Sequence, residues 1–234
     1  MHMPNMRIRI HPEGYLFIFI CLMFTLFSLF VLPNWITFIS LILAGWCTYF
    51  FRDPERVEPV EQDGIASPAD GVVQMIAQTP APKELGYAPE QLWTRISIFL
   101  NIFDVHVNRI PFSGKIQHRL YYPGKFLNAS LDKASEFNER NSLIIQLENG
   151  EQLICTQIAG LIARRIVCNV REGDLVKRGE SYGIIRFGSR VDLYLPKEWD
   201  VLVREGQRVI GGETLLSRLP VLKEKVKPKA KKED

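Results

Sequence analysis

The 234-residue sequence has only four cysteines, and no two of them form a Cys-x-x-Cys pair. Cys21 and Cys47 lie in apolar runs, whereas Cys155 and Cys168 stand alone. This distribution excludes a small disulfide-rich scaffold and offers no ligand set with the spacing of a metal site. We therefore expect reduced thiols and no bound metal.

The sequence also has little net charge, because 29 basic residues oppose 26 acidic ones. The whole excess of three lies in the Lys-rich tail at 221–234, which has six lysines and three acidic residues. The neutral remainder lacks the basic face of a nucleic-acid-binding protein, so we expect no nucleic acid partner. The tail fits either a disordered end or a weak contact with anionic lipids.

No charged residue occurs between Glu13 and Arg52. Two apolar runs, Tyr15–Leu32 and Trp35–Phe51, fill this stretch, and a Pro-Asn dipeptide that fits a turn separates them. As helices they would each reach about 26 Å, against roughly 30 Å of membrane hydrocarbon. The sequence predicts a membrane-associated helical hairpin over 15–51, which either crosses the bilayer twice or enters one leaflet. The alternative, a hairpin buried in a soluble core, is disfavoured by so long a stretch without charge.

Basic residues flank the hairpin on both sides and are absent from its turn. Arg7 and Arg9 lie in the basic N-terminal tail at 1–14, and Arg52 and Arg56 follow the second run. Cytoplasmic flanks of membrane segments carry an excess of Arg and Lys. We therefore expect a protein of the cell (inner) membrane whose remaining chain lies on the cytoplasmic side.

Beyond Arg52 the sequence shows no long helical period. Short apolar runs alternate with Gly and Pro, a pattern typical of an all-β sandwich or barrel. The runs are Gly71–Val73, Ile96–Leu100, Ile116–Leu120, Leu143–Leu147, Leu153–Ile158, Ile162–Val167, Tyr182–Phe187 and Val191–Leu195. The stretch Leu131–Glu139 fits either a short helix or an ordered loop. We predict a β-rich domain over 52–220.

An internal repeat supports the β class. Val170–Glu180 matches Val203–Glu213 at seven of eleven positions, 33 residues apart. The shared pattern V-x-E-G-x-x-V-x-x-G-E resembles the turn of lipoyl and biotinyl carrier domains, and Ala69–Val73 and Phe112–Ile116 look like matching strand starts. We predict a mainly β, barrel-sandwich or hammerhead-like domain built from pseudo-repeats. A repeat of this kind speaks for a fold and not for a function.

Four polar segments interrupt the strand pattern. They are SPADG at 67–71, FDVHVNRIP at 103–111, NASLDKASEFNER at 128–140 and FGSRVDLYLP at 187–196. Each motif is weak alone, but in this order the four together resemble the pyruvoyl-dependent phosphatidylserine decarboxylases, and most closely the shorter bacterial members. The resemblance runs from the hydrophobic N-terminus to about Leu219.

The resemblance implies a carboxy-lyase, made as a zymogen, that converts phosphatidylserine to phosphatidylethanolamine and carbon dioxide at the membrane surface. It further implies that Ser189 attacks the carbonyl of Gly188, so that the chain is cut between 188 and 189 and Ser189 becomes a pyruvoyl cofactor. That group would form a Schiff base with the substrate amine. Chains 1–188 and 189–234 would then form a heterodimer, with a higher oligomer left open.

The resemblance also implies roles for residues that would activate the serine. Asp70 and His106 correspond to the acid and the base of a charge relay that ends on Ser189. One position departs from the family, because Arg109 stands where longer members have a second histidine. Either His106 serves both self-cleavage and proton transfer in decarboxylation, or another group takes one of these roles.

Polar residues near the other motifs are candidates for substrate contact. Lys133, Asn138 and Arg140 are expected at the substrate phosphate, unless they belong to a plain solvated loop. Arg190 and Asp192 flank the cleavage site, where they either act or simply pair on a strand.

Two other classes of protein remain as alternatives. One is a non-enzymatic, membrane-anchored adaptor with lipoyl-like β modules, but such adaptors usually insert a long helical hairpin that this sequence does not show. The other is a carrier domain with a lysine at a hairpin tip. Asp132–Ala134 spells the required D-K-A, but it lies outside the carrier-like repeats. Cleavage of the chain is the observation that separates the enzyme from both.

Overall fold

Helices and strands were assigned from a computed structural model, which describes residues 8–124, 137–160, 165–186 and 189–220. The helices are α1 (Tyr15–Val31) and α2 (Asn34–Phe50). The strands are β1 (Ile8–Ile10), β2 (Arg52–Pro54), β3 (Gly64–Ala66), β4 (Gly71–Pro80), β5 (Leu92–Leu100), β6 (Val107–Arg109), β7 (Gly114–Tyr122), β8 (Arg140–Gln146), β9 (Gln152–Ala159), β10 (Ile166–Cys168), β11 (Leu175–Val176), β12 (Ser181–Ile185), β13 (Ser189–Pro196), β14 (Arg208–Val209) and β15 (Leu215–Arg218). The predicted class, mainly β with an N-terminal helical hairpin, is confirmed.

The largest sheet has eight strands in the order β11-β7-β8-β9-β13-β5-β4-β14, and each neighbouring pair is antiparallel. Smaller sheets are formed by β10-β12-β6, by β15-β3 and by β1-β2. β13 lies inside the large sheet, because it pairs with β9 on one side and with β5 on the other. The strand that begins at the predicted cleavage site is therefore an interior strand.

Side-chain alternation along β13 shows how the sheet builds its core. Val191, Leu193 and Leu195 are fully buried and belong to the main hydrophobic core, whereas the residues between them face the other side of the sheet. The neighbouring β5 contributes Ile96 and Ile98 to the same core. By this alternation the side chain at the start of β13 lies on the core side.

The hairpin exposes most of its large apolar side chains. Phe30 and Trp35, on either side of the turn, are 79% and 64% exposed. The helices meet through small polar side chains, with the hydroxyl oxygens of Ser28 and Ser40 3.4 Å apart. The helical segment Pro12–Val31 is long and apolar enough to cross a membrane, whereas α2 has 17 residues. The membrane association of 15–51 remains a prediction at this point.

The base of the hairpin is attached to the β body. β1 and β2 pair with each other, and the amide of His11 donates to the carbonyl of Phe51 at 2.8 Å. Phe50 and Phe51 are fully buried in a second hydrophobic cluster together with Val105, Val107 and Ile184 of the body. The end of α2 is thus packed directly on β6 and β12.

The sequence repeat is also a repeat in space. The amide of Gly173 donates to the carbonyl of Ile116 at 2.8 Å, and 33 residues later the amide of Gly206 donates to the carbonyl of Val73 at 2.7 Å. Both glycines have a left-handed backbone, with φ of 92° and 82°, a conformation that strongly favours glycine. β11 consequently pairs with the start of β7, and β14 pairs with the start of β4. The two copies cap opposite edges of the large sheet.

Some predicted segments fall partly or wholly outside the described residues. Of the predicted run Ile162–Val167, only the end is described, and the strand there is β10. Most of Leu131–Glu139 lies outside the described residues, as do the tails at 1–7 and 221–234.

Candidate active site

The structure brings the predicted cleavage site to the chain segment that carries His106. Ser189 pairs with Leu100 at the end of β5, and Ile185 at the end of β12 donates its amide to the carbonyl of His106 at 3.4 Å. The segment 100–106 and the segment 185–189 are therefore joined at both ends. Gly188 lies outside the described residues.

Ser189 is held in an unusual environment for a hydroxyl. Its side chain is fully buried, and Oγ has no hydrogen-bond partner among the described residues. A buried, unpaired hydroxyl typically costs about 1–3 kcal/mol, so most are paired. The main chain of Ser189 is fixed by β-sheet pairing with Leu100 of β5 on one side and with Ala159 of β9 on the other. An unpaired hydroxyl on an immobilised backbone is a suitable arrangement for a nucleophile.

The imidazole of His106 is fully buried and has one hydrogen bond. Nδ1 lies 3.0 Å from the main-chain oxygen of Asp104. A carbonyl oxygen only accepts, so Nδ1 carries the proton and Nε2 carries a lone pair. Burial lowers the pKa of His106 to about 4, although the carbonyl and carboxylate of Asp104 act to raise it. The ring is thus neutral at pH 7, and Nε2 has no partner among the described residues.

Asp104 orients the histidine, a role that the sequence motifs did not assign to it. Its carboxylate is buried, accepts the amide of Asn101 at 2.9 Å and pairs with Arg208. These contacts hold the main-chain oxygen that fixes the tautomer of His106. No sequence signal marks this role, because the contact is made by a main-chain oxygen, which every residue has.

Asp70 does not bind His106, as a direct charge relay would require, but has other partners. Both carboxylate oxygens accept from Nη2 of Arg56 at 2.8 Å, and Oδ1 also accepts the amide of Gly211 at 2.8 Å. Burial raises the pKa of Asp70, although Arg56 and the Gly211 amide oppose this, and Asp104 raises it further. In the described part of the chain no hydrogen bond joins Asp70 to His106. Asp70 interacts electrostatically with Asp104, whose main-chain oxygen contacts His106.

The internal repeat accounts for one of the contacts of Asp70. In the other copy, Ser113 stands at the corresponding strand start, and its Oγ accepts the amide of Arg178 at 3.0 Å. Arg178 and Gly211 are 33 residues apart, the period of the repeat. The turn therefore requires a side-chain hydrogen-bond acceptor at this position, but the acceptor does not have to be charged. The negative charge of Asp70 is an addition specific to one copy.

Comparison with known proteins identifies the family. The family model described as phosphatidylserine decarboxylase matches residues 43–217. The chain is 53% identical over 211 residues to the phosphatidylserine decarboxylase proenzymes of Rickettsia akari (strain Hartford) and Rickettsia felis (strain ATCC VR-1525 / URRWXCal2), with 89% of each chain covered. This chain belongs to the phosphatidylserine decarboxylase family.

Arg109, at the position of the second histidine of longer family members, is engaged in contacts within the fold. Its guanidinium forms an ion pair with Asp53 and donates to the carbonyls of Pro54 and Gly179, each at 2.9 Å. Asp53 and Pro54 belong to β2, directly after the hairpin. Arg109 therefore joins the hairpin to the β body and is engaged on main-chain and carboxylate oxygens.

Arg190 and Asp192 pair with each other. Nε of Arg190 lies 2.8 Å from Oδ1 of Asp192, and both side chains are buried on the face of β13 opposite Ser189. This placement favours the interpretation that they pair on a strand. In the described residues no group of three or more His, Cys, Asp or Glu side chains is arranged to hold a metal ion.

The residues expected at the substrate phosphate have structural contacts where they are described. Lys133 lies outside the described residues. Asn138 is buried and donates to the carbonyl of Ala159 at 2.7 Å. Arg140 pairs with Glu84 and lies 4.3 Å from the centroid of the Tyr122 ring. Asn138 and Arg140 thus help to seat the end of the 128–140 segment on the sheet.

Proposed function

We propose that this chain is a self-processing, pyruvoyl-dependent phosphatidylserine decarboxylase that acts at a membrane surface. Its family and the proenzymes that it resembles support this function. The observation that carries the proposal is the pair of buried, unpartnered atoms Oγ of Ser189 and Nε2 of His106 on segments that are joined at both ends. One atom is a potential nucleophile and the other is a potential base.

The processing step uses groups of the chain itself. Oγ of Ser189 and Nε2 of His106 are not hydrogen-bonded to each other in this structure, so their side chains have to approach before the reaction. Oγ of Ser189 then attacks the carbonyl carbon of Gly188 while Nε2 of His106 takes the hydroxyl proton. The bond from that carbonyl to the Ser189 nitrogen breaks, an ester forms, and His106 returns the proton to the nitrogen. Elimination of the ester and hydrolysis with loss of ammonia then leave a pyruvoyl group at the start of the 189–234 chain.

The residues around Ser189 fit such a group. β5 and β9 fix the backbone on which it would stand, and the side chain at this position is buried. The pyruvoyl carbonyl supplies an electrophile that accepts the electrons released when carbon dioxide leaves the substrate. His106 lies on the adjacent segment, and its neutral Nε2 would take up a proton from the substrate amine before returning it to the substrate carbon. Asp70 is the third member of the proposed relay on the strength of the family resemblance, and its carboxylate is held by Arg56 and the Gly211 amide.

The hairpin holds this site at the bilayer. Its exposed apolar side chains suit lipid, and its end packs on β6 and β12 beside His106. The basic flanks favour the cell membrane with the β body on the cytoplasmic side. Membrane lipids would then surround α1 and α2, while phosphatidylserine presents its headgroup to the site.

A gel and an intact-mass measurement test the proposal. The wild-type chain should yield a fragment of residues 189–234 that carries a pyruvoyl group and resists Edman degradation, and it should release carbon dioxide from phosphatidylserine vesicles. Ser189→Ala should remain one chain and lack activity. Ser97→Ala is the matched control, since Ser97 is also buried with an unpartnered Oγ on neighbouring β5. An intact, inactive wild-type chain would instead favour the adaptor.

A further inference from the structure

The turn between β5 and β6 presents two apolar side chains to the outside. Ile102 is 39% exposed and Phe103 is 59% exposed. The turn is closed by hydrogen bonds from the Asp104 amide to the Asn101 carbonyl at 3.0 Å and from the Phe103 amide to Oδ1 of Asn101 at 2.8 Å. The Asn101 amide in turn donates to the Asp104 carboxylate at 2.9 Å. The backbone therefore holds both apolar side chains outward in a fixed conformation.

This turn is attached to the end of α2. The guanidinium of Arg52 donates to the carbonyl of Phe103 at 2.8 Å and to the carbonyl of Tyr49 at 2.7 Å. The same guanidinium lies 3.7 Å from the centroid of the Tyr49 ring. Tyr and Arg at the end of an apolar helix are typical of the membrane–water interface. Phe103 consequently lies at the level where the hairpin leaves the hydrocarbon.

We propose that Ile102 and Phe103 form a second membrane contact, which enters the interfacial region of the bilayer that holds the hairpin. The inference rests on the membrane association proposed above. A bilayer is the occupant because Arg52 joins this turn to the end of α2, and the exposed apolar side chains of the hairpin are those proposed to lie in lipid. Arg208, whose side chain is 63% exposed, pairs with Asp104 and so places a basic group beside the turn.

The contact would set the height of the reacting groups above the lipid. The turn lies within the segment 100–106, which pairs with Ser189 at one end and carries His106 at the other. Its tip faces outward while its base faces the site. With the tip in the interface, a phosphatidylserine molecule needs to raise only its headgroup to reach the site.

Lipid photocrosslinking tests the contact directly. Full-length protein carrying p-benzoylphenylalanine in place of Phe103 is reconstituted in vesicles of phosphatidylethanolamine and phosphatidylglycerol. After illumination, the mass of the protein is measured by mass spectrometry. The expected result is a mass gain of one lipid. Leu175, an apolar residue of β11 that is 83% exposed, is the matched control position and should give none. A probe at Leu26 in α1 should label and reports insertion of the hairpin itself.

The outcomes separate the two proposals. If the probe at Leu26 is labelled while the probe at Phe103 is labelled no more than the control at Leu175, the second contact is overturned. The hairpin itself would still be in the membrane. Absence of labelling at both Leu26 and Phe103 overturns the second contact and the membrane association together, and says nothing against decarboxylation of dispersed substrate.

Kinetics give an independent measurement. Phe103→Ser should retain self-cleavage but lower the turnover of long-chain phosphatidylserine in vesicles by about fivefold to tenfold, as expected for loss of one aromatic contact with the interface. Turnover of a short-chain, detergent-dispersed phosphatidylserine should change by less than about twofold. Leu175→Ser should affect neither substrate. An equal loss on both substrates would mean a structural role for Phe103 and would overturn the proposal.

Discussion

The ring of Phe50 packs on the imidazole of His106, with centroids 4.3 Å apart and planes inclined by 35°. Phe50 is the last residue of α2, and both rings are fully buried. The end of the hairpin therefore forms one wall around the candidate base. It contributes to the burial that lowers the pKa of His106. The end of the hairpin, which is the proposed membrane anchor, thus also contributes to the candidate site.

Phe50→Ala should raise the pKa of His106 and move the pH dependence of self-cleavage upward. The smaller side chain admits water to the imidazole, so its pKa should shift from about 4 toward the ordinary value of 6.5. Because the neutral ring is the base, cleavage is lost as pH falls through the pKa. Wild-type precursor made in a cell-free system should thus cleave at a constant rate down to about pH 5, whereas the variant should already slow near pH 6.

Phe50→Leu is the control for this experiment, because it keeps an apolar side chain on the ring and should move the midpoint less than Phe50→Ala. The alanine variant should also lose about 3–5 kcal/mol of unfolding free energy through the cavity it leaves. Identical pH midpoints for wild type and Phe50→Ala would show that Phe50 does not influence the base.

The stability of the uncleaved protein should fall on acidification because of His106. Its folded pKa of about 4 lies below the unfolded value of 6.5, so the unfolded chain binds the proton more readily. The contribution is fully present above pH 6.5 and disappears as pH falls toward 4. Between pH 7 and pH 5 we expect a loss of about 2 kcal/mol. Denaturant unfolding of Ser189→Ala in detergent measures it, and adding His106→Gln should remove this part of the pH dependence.

Asp70→Ser separates the two roles of that position. Serine serves as the turn acceptor at the corresponding position of the other repeat, so the variant should fold, with an intact hydrogen bond from the Gly211 amide. It removes the charge that the proposed relay requires, so self-cleavage should fall by at least about a hundredfold. Circular dichroism and the cleavage gel are compared on the same samples. A folded variant that cleaves at the wild-type rate would restrict Asp70 to the turn.

The ion pair between Asp53 and Arg109 should contribute to stability. A double-mutant cycle with Asp53→Asn and Arg109→Gln is expected to give a coupling of about 1–3 kcal/mol, because both side chains are largely buried. The matched control is the pair Arg9–Glu55, which is exposed and has its charged atoms 3.5 Å apart. Its coupling should stay below about 1 kcal/mol. Equal couplings for the two pairs would contradict the role of Arg109 in joining the hairpin to the body.

Local pattern predicts the elements of this protein well. The helices begin and end within one or two residues of the apolar runs, because apolar composition and a Pro-Asn turn are local signals. The repeated pattern predicted two glycine turns, and both Gly173 and Gly206 have the left-handed backbone that favours this residue. The short strands β11 and β14 that follow these glycines were not predicted. For the helices and the glycine turns, a few neighbouring residues contain the information.

The partners of the charged residues could not be predicted in the same way. Arg56 pairs with Asp70 between two loops, and Arg109 pairs with Asp53 between β6 and β2. These segments meet only in the folded chain. Asp104 acts on His106 through a main-chain oxygen, which no side-chain pattern reveals. The motifs therefore indicate which segments meet at the site, and tertiary packing decides which atoms touch.

The interior position of β13 determines how firmly the two chains would stay associated after cleavage. A chain of residues 189–234 would contribute an inner strand to the large sheet, a strand at its edge in β14, and a strand to a separate sheet in β15. Such a fragment cannot leave without dismantling the sheet on both sides. Once denatured, however, the two chains must find each other by diffusion, since the covalent link that made their pairing intramolecular is gone. The cut would turn a molecule that folds on its own into one whose assembly depends on concentration, so correct folding has to precede it.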